Sequence, residues 1–249
     1  IVIALFAVIP IVLGGPLIAL LAAVAGGAMA WEYRQIHTRG ADGLGLQNTV
    51  YAATPVLAVA LLAVAPLWVA GLLVVMAAPL HGLVDRLQGR SWHWSVPGLL
   101  VIGLACLAFP VLRGMEPFGL ITILWIIAVV VSTDVGAYAF GRALGGPKLW
   151  PKVSPKKTWT GLAGGMLCAV LAGAVFSGAT TGTNVALVCT VSAIAALVAQ
   201  GGDLGESAVK RRFGVKDASA LIPGHGGALD RLDGFVAATL AVAISTYLH

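Results

Sequence analysis

The chain has 249 residues, of which 59% are apolar and only 10% are charged. Its mean hydropathy of +0.97 and its apolar runs of bilayer-spanning length exclude a soluble globular protein and indicate a polytopic membrane protein. The net charge of +5 does not point to nucleic acid as a partner, because the basic residues lie in short loops between apolar runs. Membrane orientation and anionic lipid or phosphate groups explain that distribution better.

The apolar runs predict an all-α fold, a polytopic membrane helical bundle with about nine transmembrane helices. They leave no room for a separate soluble domain, so we expect a single membrane domain over 1–249, with apolar helices over 1–117 and catalytic helices and cytoplasmic loops over 118–249. The chain begins in an apolar run without Met or a basic n-region, which supports no claim of a signal peptide and is consistent with a missing natural N-terminus. The helices are predicted at about residues 1–13, 16–33, 49–64, 66–85, 95–112, 118–142, 161–177, 184–210 and 233–248.

Loop charges alternate along the chain. Nearly all Lys and Arg residues lie in four loops, at 34–48, 86–94, 142–158 and 210–232. The intervening loops, at 14–15, 65–66, 113–117 and 178–183, hold one Arg between them. Because cytoplasmic loops carry the excess of positive charge, this alternation predicts a cytoplasmic N-terminus, an external C-terminus and a candidate site at the cytoplasmic membrane edge.

The three cysteines, Cys106, Cys168 and Cys189, each lie inside an apolar run. They form no CxxC pair and have no neighbouring His. We therefore interpret them as small buried apolar residues and expect neither a disulfide nor a zinc site.

Charged side chains concentrate in residues 201–234, which hold half of the Asp and Glu residues of the chain. On a helix, Asp203, Ser207 and Lys210 recur at i, i+4 and i+7 and so share one face. Ionisable groups at a membrane edge are costly and are therefore candidates for function, with a partner expected for each. The alternative is a solvated helix end with ion pairs, in which the basic run 210–212 serves as an orientation signal.

A glycine turn and two carboxylates follow in the same stretch. Gly226 and Gly227 allow backbone N–H groups to approach a phosphate closely, and Asp230 and Asp233, at i and i+3, can share a hard divalent cation. A histidine such as His225 is more often a structural hydrogen-bonder, although here it could orient the turn or a phosphate. With the flanking lysines, these groups together indicate a metal–polyphosphate site.

The sixth predicted helix and the loop after it add a second polar group. Asp134 lies on the helix with Arg142 near its end, and the loop holds Ser154, Lys156 and Lys157 around a proline. Ammonium and hydroxyl groups on a stiff turn can neutralise and position triphosphate oxygens. The same lysines could instead be orientation charges.

Three segments of the chain resemble the signature regions of the bacterial phosphatidate cytidylyltransferases, also called CDP-diacylglycerol synthases. The segments read STDVGAYAFGR, KVSPKKTWTG and SAVKRRFGVKDASALIPGHGGALDRLD, and they follow the order of that family over residues 130–235. The N-terminal half is matched only by its hydropathy and by Trp31-Glu32 at a helix end. Two positions depart from the family, since Val135 replaces a usual Thr and Gly234 a common Ser or Thr.

The resemblance implies a nucleotidyltransferase that converts CTP and phosphatidate into CDP-diacylglycerol and pyrophosphate for phospholipid biosynthesis. It also implies Mg²⁺, with or without a monovalent cation, and a homodimer in contact with the lipids of the bacterial cytoplasmic membrane. The implied catalytic residues are Asp203, Lys210 and Asp230, and the implied metal ligands are Asp203, Asp230 and Asp233. Asp134 and Arg142 are implied in support. The residues implied to bind the phosphates of CTP and phosphatidate are Ser154, Lys156, Lys157, Ser207, Arg211, Lys216, His225, Gly226, Gly227 and Arg231.

Other functions remain as alternatives. A cytidylyltransferase that acts on another lipid phosphate would share all of these features, because the apolar half does not disclose the acceptor. An ion-coupled transporter would place charge near the bilayer midplane in two corresponding halves, whereas here the ionisable groups crowd into one half. A CDP-alcohol phosphotransferase would carry a DGxxAR-type constellation, which the sequence lacks.

Overall fold

The computed structural model describes residues 2–40, 45–178, 184–219, 221 and 226–247. Over these ranges the chain forms nine helices and one two-stranded sheet. The elements, in chain order, are α1 (Val2–Leu13), α2 (Gly15–Thr38), α3 (Leu46–Leu61), α4 (Leu67–Leu87), α5 (Trp92–Arg113), α6 (Gly119–Leu144), β1 (Lys148–Trp150), β2 (Ser154–Thr158), α7 (Trp159–Gly178), α8 (Val185–Phe213) and α9 (Leu229–Tyr247).

The helices confirm a polytopic membrane protein. Six of the described helices, α2 and α4 to α8, are long and apolar enough to cross a bilayer, and α3 is a shorter apolar helix. A count of nine spans also needs α1, α3 and α9, so that count stays a prediction.

A β-hairpin replaces part of the predicted loop between α6 and α7. β1 pairs with β2 in antiparallel register, with Lys148 opposite Thr158 and Trp150 opposite Ser154. Val153 turns the chain, since its N–H donates to the Trp150 carbonyl over 3.1 Å, and its side chain is buried. The sequence prediction of an all-α fold missed this hairpin because glycine, proline and lysine dominate the segment and hide its short β-compatible runs.

The contacts divide the chain into two compact units. The first unit contains residues 1–120 and 212–232, and the second contains 121–211 and 233–249. The prediction of one membrane domain therefore stays a prediction.

The first unit has a buried polar cluster at the end of α2. Arg34 donates to both carboxylate oxygens of Asp85 on α4, over 3.0 and 3.2 Å, and both side chains are buried. Ser95 of α5 also donates to Asp85, and His37 lies 3.1 Å from the Ser95 hydroxyl. These partners explain why α2 continues to Thr38, although the sequence placed Arg34 and His37 in a polar loop.

In the second unit, α7 packs against α6 through small residues. A Cβ atom at Gly161 would lie 2.8 Å from the Ala137 carbonyl oxygen, and one at Gly165 would lie 2.7 Å from that of Thr133. Glycine therefore lets the two backbones approach closely. This contact lies within a single chain. Small residues such as those of α7 can also let two chains pack together.

Candidate active site

The second unit contains a polar cavity of about 210 Å³. It is lined by side chains from α6, the hairpin and α8, together with apolar residues of α6, α7 and β1. The polar lining residues are Asp134, Tyr138, Lys156, Lys157, Thr158, Gln200 and Asp203. Opposite charges and the amide group of Gln200 thus meet in a space large enough for part of a nucleoside triphosphate.

An ion pair lies at the centre of this lining. The ammonium of Lys157, at the end of β2, is 2.6 Å from the carboxylate of Asp203 on α8, and the two side chains are 19% and 33% exposed. The Ser207 hydroxyl, one helical turn after Asp203, donates to the same carboxylate over 3.4 Å. Both residues line the cavity, although the ammonium nitrogen of Lys157 is itself buried beside the carboxylate.

A buried amide orients the other carboxylate of the cavity. Gln200 is 5% exposed, and its Nε2 donates to Asp134 over 3.2 Å. Gln200 lies three residues before Asp203 on α8, so the two side chains fall on neighbouring positions of the helix. One stretch of α8 thus holds Asp134 through Gln200 and Lys157 through Asp203.

Asp233 is a further acid whose charge interacts with that of Asp203. It lies ahead of the apolar part of α9, a helix that is not among the six long spans. The Asp233 carboxylate accepts a hydrogen bond from the Gly234 N–H over 2.7 Å. A Cβ atom at Gly202 would lie 2.9 Å from the Asp233 carbonyl oxygen, so α8 and α9 approach closely here.

The two carboxylates fit a divalent cation that arrives with its substrate. Mg²⁺ is commonly held by one or two carboxylates, and substrate phosphates and water complete its shell. A cation between Asp203 and Asp233 would relieve the repulsion between their two negative charges. Among the described residues, no group of three or more His, Cys, Asp or Glu side chains could hold a metal ion.

In the first unit, Asp230 organises the chain segment before α9. Both of its carboxylate oxygens accept from the Ala218 N–H, over 2.9 and 3.2 Å, and one accepts from the Gly227 N–H over 2.8 Å. Gly226 has a φ of +84°, which favours glycine at this turn. The Gly227 amide, predicted to face a phosphate, is thus engaged within the segment.

Glu32 of α2 contacts the same segment. It is buried, and it accepts hydrogen bonds from the Ser219 hydroxyl over 2.6 Å, the Ala228 N–H over 3.0 Å and the Leu229 N–H over 2.7 Å. Ala228 and Leu229 form the start of α9, so the carboxylate caps that helix from another helix.

A sequence model described as "Cytidylyltransferase family" matches residues 1–249. The chain belongs to the cytidylyltransferase family. This confirms the resemblance found in the three sequence segments.

Individual relatives of the chain carry a more specific name. The chain is 49% identical over 151 residues to a phosphatidate cytidylyltransferase of Brucella suis, and this region covers 61% of the chain and 55% of that protein. It is 46% identical over 119 residues to a phosphatidate cytidylyltransferase of Staphylococcus epidermidis, which covers 47% of this chain and 46% of that protein. The chain spans about half the length of the curated relatives that it matches.

The structure places the site residues predicted from the sequence in several different positions. Asp134, Lys156, Lys157 and Asp203 line the cavity of the second unit. Lys210 is buried and lies 2.7 Å from Glu206, so an acid already balances its charge. The Arg142 guanidinium donates to the hydroxyl of Tyr138, a lining residue, over 2.8 Å.

The remaining predicted phosphate-binding residues lie elsewhere. Ser154 begins β2, Arg211 is exposed near the end of α8, and Lys216 is exposed in the segment that follows. Arg231 is exposed in the first turn of α9. His225 lies outside the described residues.

Sequence reasoning gave no role to two residues of the chain, Gln200 and Glu32. Gln200 is polar inside a long apolar run, one turn from Asp203, and that position was an available signal. Glu32 offered a weaker signal, a carboxylate near the end of an apolar helix. Its partners lie more than 180 residues away, and no local pattern could have identified them.

Proposed function

We propose that this chain transfers CMP from CTP to phosphatidate and so produces CDP-diacylglycerol and pyrophosphate. The names of the relatives support these substrates. The observation that carries the proposal is the cavity in which Lys157 meets Asp203 beside Asp134 and Lys156. Transfer from a triphosphate to a phosphate monoester needs cations for the phosphates and carboxylates for a metal ion, and this cavity offers both.

The chemistry explains why such a site suffices. An oxygen of the phosphatidate phosphate attacks the α-phosphorus of CTP in line, and the bond to pyrophosphate breaks as the new P–O bond forms. The attacking oxygen is already anionic at neutral pH, so no strong base is needed. The barrier comes from the approach of two polyanions. Alignment and positive charge lower this barrier.

The residues of the cavity divide this work. Lys157, next to Asp203, contacts triphosphate oxygens, and Lys156 adds positive charge at the rim. Asp134, oriented by Gln200, supports the metal side of the cavity. Asp203 and Asp233 would hold Mg²⁺, which supplies charge neutralisation between the phosphates.

Further groups belong to the same proposal on the strength of the sequence. Lys210 and Asp230 complete the catalytic set, and Asp230 keeps its proposed metal role beside the hydrogen bonds that it accepts. Arg142 has a supporting role. The remaining phosphate contacts are Ser154, Ser207, Arg211, Lys216, His225, Gly226, Gly227 and Arg231.

The proposed setting is the bacterial cytoplasmic membrane, with nine spans and the site open to the cytoplasm. The acyl chains of phosphatidate enter laterally between helices, whereas CTP arrives from water. The loop charges support this orientation. A homodimer and a monovalent cation beside Mg²⁺ complete the proposal and rest on family resemblance.

The proposal is tested by pyrophosphate release from the detergent-purified protein with CTP, Mg²⁺ and phosphatidate, each omitted in turn. We expect release that needs all three and that falls by about a hundredfold or more in Asp203→Asn, as for other preorganised electrostatic groups. Asp217→Asn is the matched control, because Asp217 is an exposed acid of the same stretch.

Two outcomes would contradict the proposal. No release from folded protein with any lipid phosphate would remove the transferase assignment and direct attention to ion flux in liposomes. Release with a different lipid phosphate but not with phosphatidate would keep the reaction and change the acceptor.

A further inference from the structure

We propose that Glu32 is a positioning residue for the transfer reaction, whose carboxylate fixes the start of α9 and the segment before it. Glu32 is absent from the set of residues assigned above to substrate or metal. The inference rests on the proposed function, because it concerns the same reaction. It is carried by the hydrogen bonds, the burial and the close packing of this carboxylate.

The hydrogen bonds of Glu32 join two parts of the chain to α2. One oxygen accepts from the Ser219 hydroxyl and the Ala228 N–H, and the other accepts from the Leu229 N–H. The first N–H groups of a helix lack partners within that helix, so such acceptors normally come from the residue just before it. Here the acceptor comes from a different helix, which fixes where α9 begins.

Packing leaves little freedom at this contact. Glu32 is 0% exposed, and a Cβ atom at Gly227 would lie 2.7 Å from both of its carboxylate oxygens. Gly227 has no positive φ that would itself require glycine. The absence of a side chain at Gly227 is therefore explained by the approach of Glu32, and the segment lies directly against the carboxylate.

The position of this contact gives it a consequence for catalysis. Leu229 is followed directly by Asp230, whose carboxylate binds the Ala218 and Gly227 amides. One helical turn later the same helix carries Asp233. Glu32 is assigned no contact with a substrate, but it fixes the first turn of α9, which carries Asp230. Misplacement of a catalytic group by about 1 Å can cost about a hundredfold in rate.

The test compares Glu32→Ala, Glu32→Gln and wild type in the pyrophosphate assay. We expect Glu32→Ala to lower kcat by about ten- to a hundredfold and to raise the half-saturating Mg²⁺ concentration by about tenfold. A smaller folded fraction would lower the rate but would leave half-saturation unchanged. Glu32→Gln keeps one acceptor oxygen, so its kcat and its half-saturating Mg²⁺ concentration should lie between those of wild type and Glu32→Ala. Glu116→Ala is the matched control, an exposed glutamate of the same unit.

A second variant tests the contact directly. Gly227→Ala places a methyl group against the carboxylate and should speed unfolding of the wild-type protein in detergent, whereas in Glu32→Ala it should change the unfolding rate by less than about threefold because the opposing atoms are gone. Gly71→Ala is its control, since a Cβ atom there meets nothing within 4 Å. Effects that multiply in the double variant would overturn the inference.

Hydrogen–deuterium exchange without substrates separates this inference from the proposed function. Loss of the Glu32 acceptor should speed exchange of the peptide 226–232 by about five- to tenfold, the equivalent of one ordinary hydrogen bond. Faster exchange with no turnover in any variant, wild type included, would remove the proposed function and keep the anchoring role. An active wild type, with unchanged exchange and half-saturation in Glu32→Ala, would overturn the inference.

Discussion

Lys156 and Lys157 are adjacent in β2 and line the same cavity, but their surroundings differ. The ammonium of Lys157 is 2.6 Å from Asp203 and the side chain is 19% exposed, whereas Lys156 is exposed to solvent. Successive side chains of a strand point to opposite faces, which explains the difference. Charge in a partly enclosed site acts on a phosphate more strongly than charge in water.

This contrast predicts unequal effects of the same substitution. Lys157→Met should lower kcat/KM for CTP by about a hundredfold, in the range of other preorganised electrostatic groups. Lys156→Met should lower it by less than about tenfold, because water screens an exposed charge. Steady-state pyrophosphate release at varied CTP concentration measures both. Equal losses, or a larger loss in Lys156→Met, would contradict the distinction.

At this scale the polar residues of the cavity could be predicted from the sequence more readily than their contacts. The lysine loop and the acids at positions 134 and 203 were identified from residue type and spacing, and the structure brings them to one cavity. The Lys157–Asp203 ion pair was not predicted, because it depends on the register of a hairpin that the composition conceals. Glu32 and Gln200 were missed because their partners are distant in sequence.

Among the elements, α7 depends most directly on small residues. Its Gly161 and Gly165 lie against backbone carbonyl oxygens of α6, where an added methyl group would meet an atom that cannot move aside easily. The hairpin that supplies Lys157 lies between these two helices in the chain. The spacing of α6 and α7 therefore sets the width of the cavity that both helices line.

Gly165→Ala should destabilise the protein by about 1–3 kcal/mol, the usual cost of overpacking, because its Cβ would lie 2.7 Å from the Thr133 carbonyl oxygen. Thermal unfolding in detergent measures this as a lower Tm. Gly178→Ala is the matched control on the same helix, where a Cβ atom meets nothing within 4 Å. A Tm that falls equally in both variants would show that helix composition, not the contact with α6, causes the effect.

Helix cores were easier to predict than helix ends. Apolar runs located every described helix within a few residues, since burial in lipid requires them. The end of α2 was placed too early because a hydropathy pattern treats Arg34 as a loop residue. In the structure, Asp85 neutralises that charge, and a buried ion pair is visible only once the helices have packed.

For the whole molecule, the orientation in the membrane is predicted from the alternation of loop charge. The exposed Lys152 belongs to a basic loop, whereas the exposed Met115 belongs to a loop with one Arg. Positive charge is retained on the cytoplasmic side, so these two loops should face opposite sides of the membrane.

Cysteine labelling tests this orientation in a chain whose three native cysteines are replaced by alanine. A membrane-impermeant maleimide should label Met115→Cys in intact spheroplasts, and it should label Lys152→Cys only after lysis. The two variants serve as controls for each other. Labelling of Lys152→Cys in intact cells would reverse the orientation and place the proposed site on the wrong side for CTP.

The long sequence separation between Glu32 and its partners has a consequence for synthesis. The partners lie 187 to 197 residues further along the chain. At about 5–20 residues per second, translation needs roughly 10–40 s to reach them. Until then the carboxylate must stay hydrated, because burial without its donors is costly. A nascent chain therefore keeps water at the Glu32 carboxylate of α2 until Ser219, Ala228 and Leu229 have been synthesised.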